Sequence, residues 1–167
     1  MGLQETSEIG KNMPRFRTVV DLNRGGVGID EGIVQQWLHE RPDIIHGEGL
    51  EPVRHWIGWQ YRLPNGIADL IGMQAGGNLS LIEVKRLRIQ RADISQVLRY
   101  VGGVEQMLKR PAVIDPILVG SGIGWAILEE ARAAGVKVFS YHVIGNLGVC
   151  TGLTLQALWP EGILHYE

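Results

Sequence analysis

"GIADLIGMQAGGNLSLIEVKRL", residues 66–87, holds two short apolar runs separated by a glycine pair, and each run carries charge where a buried strand should carry none. Asp69 interrupts the first run; Glu83 and Lys85 interrupt the second. Successive side chains on a strand alternate faces, so Glu83 and Lys85 share one face and Val84 takes the other. A two-residue Gly76-Gly77 turn would pair Asp69 with Val84 and put the aspartate on the wrong face. A three-residue loop with a bulge instead pairs Asp69 with Glu83, Ile71 with Leu81 and Ile67 with Lys85. The sequence predicts this second register, because it alone brings the three charges together.

Two carboxylates and an ammonium are costly to bury without partners, and a divalent metal would supply one. Asp69, Glu83 and the backbone carbonyl of Val84 offer hard oxygen ligands that suit magnesium or manganese rather than zinc. A lysine next to that metal orients or helps deprotonate a water for in-line attack on phosphorus, which is the chemistry of phosphodiester hydrolysis. The bland alternative is a structural salt-bridge cluster at a sheet end.

Working outward, Val53 to Leu63 alternates like a strand, and Pro64-Asn65-Gly66 turns it into the strand Ile67 to Met73. With Asn78 to Lys85 this makes three antiparallel strands in succession. Upstream, Asp30 caps a helix running to about His39, with Ile33, Val34, Trp37 and Leu38 at helical spacing and Pro42 ending it. Downstream, Asp93 is placed as the cap of a second helix whose stripe is Ile94, Val97, Leu98, Val101, Val104 and Leu108, stopped by Pro111. Asp93-x-x-Gln96 reads as its capping box. A strand (Pro116 to Val119), a helix (Trp125 to Ala134) and a strand (Val136 to Tyr141) follow, an order that favours a right-handed crossover onto the same sheet. A hairpin through Val143 to Leu155 ends the pattern. Residues 1–29 read as an N-terminal arm with one strand near Phe16 to Leu22, and residues 30–167 as the domain.

The 167 residues, 45% hydrophobic and 20% charged, suffice for one good core. A single cysteine, Cys150, excludes a disulfide framework and a Cys-rich zinc site within one chain. With no signal-peptide layout and no membrane-length apolar run, the expected location is the cytoplasm, with no membrane partner. A net charge of -2 argues against a generic nucleic-acid coat, so any DNA contact must rest on the local cluster Lys85, Arg86, Arg88 and Arg91. The five histidines (His39, His46, His55, His142, His165) show no ligand spacing. Trp56, Trp59 and Tyr61 read as packing rather than as a base-stacking platform. Gly120-Ser-Gly-Ile-Gly124 invites a dinucleotide-binding reading but fails on spacing, because Trp125 stands where the third glycine belongs.

The pattern D-x13-E-x-K of Asp69, Glu83 and Lys85, followed by Gln96 and Tyr100 as Q-x-x-x-Y, resembles the PD-(D/E)xK nuclease superfamily. Within it the chain is most similar, over residues 30 to 142, to the C-terminal catalytic domain of NucS/EndoMS DNA endonucleases. The resemblance implies an α/β restriction-endonuclease-like core, a mixed central sheet flanked by helices, and metal-dependent DNA hydrolysis with Mg2+ or Mn2+. It places the metal at Asp69, Glu83 and Val84, makes Lys85, Gln96 and Tyr100 catalytic-site residues, and adds an acidic residue of the first helix, matched best by Glu31. Arg86, Arg88 and Arg91 become candidate phosphate contacts. Ala68 stands where the family has a proline. The family's N-terminal DNA-binding and dimerisation domain finds no counterpart in a 29-residue arm, which suggests a phage or mobile-element protein, or a partner that supplies DNA specificity. Cutting both strands with one site per chain favours a homodimer. The competing class is a non-catalytic DNA-binding or phage assembly module that retains the fold.

Overall fold

The computed structural model describes residues 30–146 and 149–159, together with strand backbone at Phe16–Arg17 (β1), Val19–Asp21 (β2) and Gly26–Gly28 (β3). Most of the predicted arm, including Leu22, and His165 lie outside the described residues. The further elements are α1 (Glu31–Glu40), β4 (Val53–Leu63), β5 (Gly66–Gln74), β6 (Leu79–Val84), α2 (Arg91–Met107), β7 (Ile114–Gly120), α3 (Trp125–Ala133), β8 (Lys137–Asn146) and β9 (Val149–Ala157). A 3-10 turn at Pro42–Ile44 follows α1, because proline fits the first turn of a new helix but cannot continue the old one.

Seven strands form one mixed sheet in the order β1-β9-β8-β7-β6-β5-β4, with β2 and β3 making a separate small ladder. The β4-β5-β6 meander is antiparallel, as expected, and β6, β7 and β8 are parallel neighbours. Where one strand was expected in the arm, Gly26–Gly28 supplies a further one, β3, as the return strand of the β2 ladder, and β1 adds to β9 at the far edge.

The sheet separates two cores. On one face Ile71, Leu81, Leu118 and Val138 meet Ile94, Val97, Tyr100 and Val104 of α2 and Leu128 and Ala131 of α3. On the other, Leu70, Ile82, Val84, Ile117, Val119 and Phe139 meet Val34 and Leu38 of α1. Each such aliphatic side chain contributes about 1.5–3 kcal/mol by leaving water. This is the α/β restriction-endonuclease-like architecture, and it makes β6 an interior strand covered on both faces, so any charge on it is buried. At the start of the parallel strands the buried polar groups satisfy one another: Gln74 Nε2 donates to Ser80 Oγ (3.0 Å) and Asp115 Oδ2 (2.7 Å), and Lys137 Nζ lies 3.1 Å from Asp115 Oδ1.

Two expectations need correction. Helix α2 starts at Arg91 with Gln90 as its N-cap, and Asp93 is the third helical residue, its Oδ2 accepting the Gln90 N–H at 2.7 Å. Asp93 therefore closes the capping box itself, and Gln96 has no part in it. The apolar stripe is also rotated: Tyr100 is 6% exposed and Leu98 is 37% exposed.

Candidate active site

The β5–β6 hairpin has the register the charges demanded. Ile71 pairs with Leu81 and Met73 with Leu79, and Gln74 N–H donates to Asn78 O (2.8 Å) around the three-residue loop Ala75–Gly77, in which Gly77 takes φ +90°. Asp69 is thus opposite Glu83. The ladder stops at Leu70–Ile82, and beyond it side chains replace backbone acceptors: Asp69 N–H donates to Glu83 Oε1 (3.1 Å), and Val84 N–H donates to Asp69 Oδ2 (2.8 Å). The two carboxyls are therefore stitched into the gap between parted strands. Glu83 is 2% exposed. Burial, and then the negative charge of Asp69 beside it, pushes the Glu83 carboxyl up to about 8. Burial raises Asp69 as well, against the opposing hydrogen bonds of Val84 N–H and Gln60.

Lys85 follows directly. Its N–H continues the parallel pairing to Val119 O (2.7 Å), its Nζ donates to Gln96 Oε1 (2.6 Å), and Asp93 Oδ1 lies 3.5 Å from the same nitrogen. Gln96 Nε2 in turn donates to Tyr100 Oη at 3.2 Å. The Q-x-x-x-Y pair thus stands one turn apart on α2 and forms a chain ending at the lysine. Tyr100 is positioned by Gly66, which has φ +154° and where a Cβ would sit 2.5 Å from Tyr100 Cε1. Gly66→Ala is expected to lose about 1–3 kcal/mol of stability, by forcing the ring aside and straining the turn, and urea denaturation measures it.

The loop from Lys85 to Gln90 runs across the carboxyl ends of β6 and β7, where α/β sheets present their sites. It lies close to Gly120, where a Cβ would meet Ile89 Cγ1 at 2.7 Å and Leu87 O at 3.0 Å, so the first glycine of the stretch that imitated a dinucleotide motif makes room for this loop. Glu31 Oε1 accepts the Arg86 N–H (3.1 Å), and Tyr141 Oη donates to Arg86 O. Glu31 is thereby tied to the loop that follows Lys85. Arg86 Nε is buried without a hydrogen-bond partner among the described residues. Arg88 is exposed, whereas Arg91 is gripped by Glu130 of α3 through contacts of 2.6–2.9 Å.

Two glutamines that sequence reasoning passed over complete the surroundings. Gln60 lies across from Asp69 and is, among the described residues, the one non-glycine with positive φ, at 51°. That left-handed backbone costs about 1–2 kcal/mol. Its Nε2 donates to Asp69 Oδ1 (3.0 Å) and to Gln35 Oε1 (2.8 Å), and Gln35 Oε1 also accepts the Trp59 Nε1–H at 2.9 Å. Gln35 stands one helical turn after Glu31, a spacing that could have revealed it. His39 stacks on Trp56 and Trp59 with ring centroids 5.3 and 5.0 Å away. Trp56 and Tyr61 pack as expected, but Trp59 is 42% exposed.

The donor set fits a hard divalent cation. Among the described residues no three His, Cys, Asp or Glu side chains form a metal cage. Magnesium and manganese sites of hydrolases need none, taking one or two carboxylates and completing the shell with water and substrate oxygens. Adjacent carboxyls, Glu83 buried and Asp69 half-buried, of which Glu83 holds its proton to about pH 8, are a pair that a cation would let ionise together.

The family model of the endonuclease NucS C-terminal domain matches residues 30–133, more than half of the chain, from α1 to the end of α3. The chain belongs to the NucS C-terminal domain family. Endonuclease NucS of Sulfolobus acidocaldarius is 40% identical over 65 residues, which are 39% of this chain and 24% of that protein. NucS of Sulfurisphaera tokodaii is 33% identical over 88 residues, 51% of this chain and 32% of that protein. The chain thus matches about a quarter to a third of these NucS proteins. A repair endonuclease from Pyrococcus abyssi shares the fold with a TM-score of 0.55 at 21% identity, covering 65% of this chain and 45% of that one. An EndoMS structure in complex with double-stranded DNA gives a TM-score of 0.52 at 21% identity, covering 63% of this chain and 41% of that one. Among the described residues no helix is long and apolar enough to cross a membrane.

Proposed function

We propose that this chain is the catalytic module of a metal-dependent DNA endonuclease. The observation that carries the reading is the Asp69–Glu83 carboxyl pair set in the parted end of the β5–β6 ladder, with Lys85 held beside it by Gln96. Membership in the NucS C-terminal domain family supports it, as does the fold shared with a structure solved with double-stranded DNA.

Asp69 and Glu83, with the Val84 carbonyl, would hold Mg2+ or Mn2+. When bound, the ion supplies charge stabilisation at phosphorus and acidifies a water. Lys85 contributes a donor fixed at its far end: Gln96 Oε1 takes one ammonium proton, Asp93 attracts the charge, and the remaining protons are free to orient the attacking water or a phosphate oxygen. The ammonium can only donate, so it turns the Gln96 oxygen toward Lys85, and Tyr100 Oη accepts from the other end of the amide. Arg86 and Arg88, on the loop at the same end of the sheet, are suited to backbone phosphates and carry no sequence information. The matched region is about a quarter to a third of the NucS relatives' length, so the reading concerns the cleavage chemistry and not the choice of duplex.

The test is cleavage of supercoiled plasmid and of end-labelled linear, mismatched and flapped duplexes, with Mn2+, Mg2+ or chelator. Metal-dependent cutting that Asp69→Asn abolishes is the expected result, and the products identify the substrate class. A folded wild type that binds duplex but cuts none of these would favour a non-catalytic binding module.

A further inference from the structure

We infer that Gln60 is a positioning residue of this site, and that Trp59 and Gln35 fix the direction of its amide so that it donates to Asp69. The inference rests on the nuclease reading above. The polarity follows from chemistry alone. An indole N–H can only donate, so the atom of Gln35 facing Trp59 Nε1 at 2.9 Å must be its oxygen. That same oxygen lies 2.8 Å from the Gln60 amide, which must therefore present its NH2. The NH2 lies 3.0 Å from Asp69 Oδ1. A donor-only group is thus relayed through two amides into a donor aimed at the carboxylate, whose other oxygen already accepts the Val84 N–H. Both oxygens of Asp69 are fixed, and the carboxylate has one orientation left.

The backbone supplies the second argument. Gln60 adopts φ 51° in mid-strand, a conformation that glycine would take without strain, and nothing about pairing β4 to β5 calls for a glutamine there. Strain retained beside a reactive group is a sign of function. Gln35, on α1, is 4% exposed, so the relay also anchors the site to the helix that holds Glu31. Groups that orient a metal ligand in this way change affinity and rate when removed, without touching substrate.

The deciding variant is Gln60→Gly, which relieves the backbone and deletes the amide together, so a structural and a positioning role predict different results. The full-length protein is measured three ways: thermal midpoint without metal, Mn2+ affinity by calorimetry without DNA, and kcat and KM for plasmid nicking. The expected result is a thermal midpoint at or above wild type, Mn2+ affinity weakened about tenfold or more, a comparable fall in kcat, and an unchanged KM for DNA. Trp59→Phe, which removes the indole N–H, is expected to move affinity and kcat the same way by less. Affinity and kcat of Gln60→Gly within about twofold of wild type would overturn the inference, whether or not the midpoint falls. A wild type that binds no Mn2+ and cuts no DNA would overturn the nuclease reading and this inference with it.

Discussion

Glu83→Gln is expected to abolish cleavage and to stabilise the protein. In the folded chain the Glu83 carboxyl keeps its proton to about pH 8, displaced upward from an ordinary value of 4.5 by burial and by Asp69. The folded state therefore binds more protons than the unfolded state between these values, and stability falls as pH rises across that window. It is fully present below pH 4.5 and lost by the time pH passes about 8. Glutamine has the same shape and no charge to lose. Its Oε1 still accepts the Asp69 N–H, and its NH2 replaces the acid proton that Glu83 donates toward Asp69. Denaturant titrations without metal should show the variant more stable than wild type by about 2–4 kcal/mol at pH 8 and nearly equal at pH 4.5. Activity should fall about a thousandfold or more, because the lost negative ligand takes several kcal/mol of transition-state stabilisation with it. Wild-type Mn2+ affinity should rise with pH up to about 8, as binding displaces that proton. A variant with wild-type stability at both pH values would mean that the pair is solvated and unperturbed.

Lys85→Ala should lower kcat by about 10²–10⁴-fold, the range for losing a positioned proton donor or acceptor, with little change in KM for DNA. Lys85→Arg should not restore it. The Nζ sits 2.6 Å from Gln96 Oε1 in a niche closed by α2, and a planar five-donor guanidinium neither fits that point contact nor gives up a proton. Helix α2 keeps its capping box in both variants, since Asp93 Oδ2 serves Gln90 while Oδ1 faces the lysine. Folding should therefore be retained, and single-turnover cleavage compared with circular dichroism separates chemistry from collapse. Full activity in Lys85→Ala would remove the lysine from the mechanism.

The hairpin and its register were legible because alternation is a hard rule. Once three charges had to share a face, only an odd loop would do, and Ala75–Gly77 provides it. Helix α1 was equally plain from spacing and from Asp30, whose Oδ1 accepts the Gly32 N–H at 2.8 Å, whereas the strand from Val136 and the first arm of the terminal hairpin, read as separate, are the single strand β8. The start of α2 was misread because an aspartate serves equally as a cap or as the third residue reaching back to one, and Asp-x-x-Gln looks like a box from either side. That slip hid the role of Asp93 near Lys85 and left Gln96 with a duty it does not have. Gln60 was invisible for a different reason: a left-handed residue in mid-strand has no signature when it is not glycine or asparagine. Tyr100 belongs to the core and to the site at once, and spacing alone could not separate those roles.

The sheet that divides the two cores also joins them at one point. Asp69 is held from the α1 side through Gln60 and Gln35, while Lys85 is held from the α2 side through Gln96. A shift of either helix by a fraction of an ångström would move one half of the proposed reacting set against the other. The mutational target for inactivation is therefore much larger than the handful of residues that carry charge, and it spreads through apolar positions on both sides of the sheet. Under drift, such a protein would lose its chemistry well before its fold.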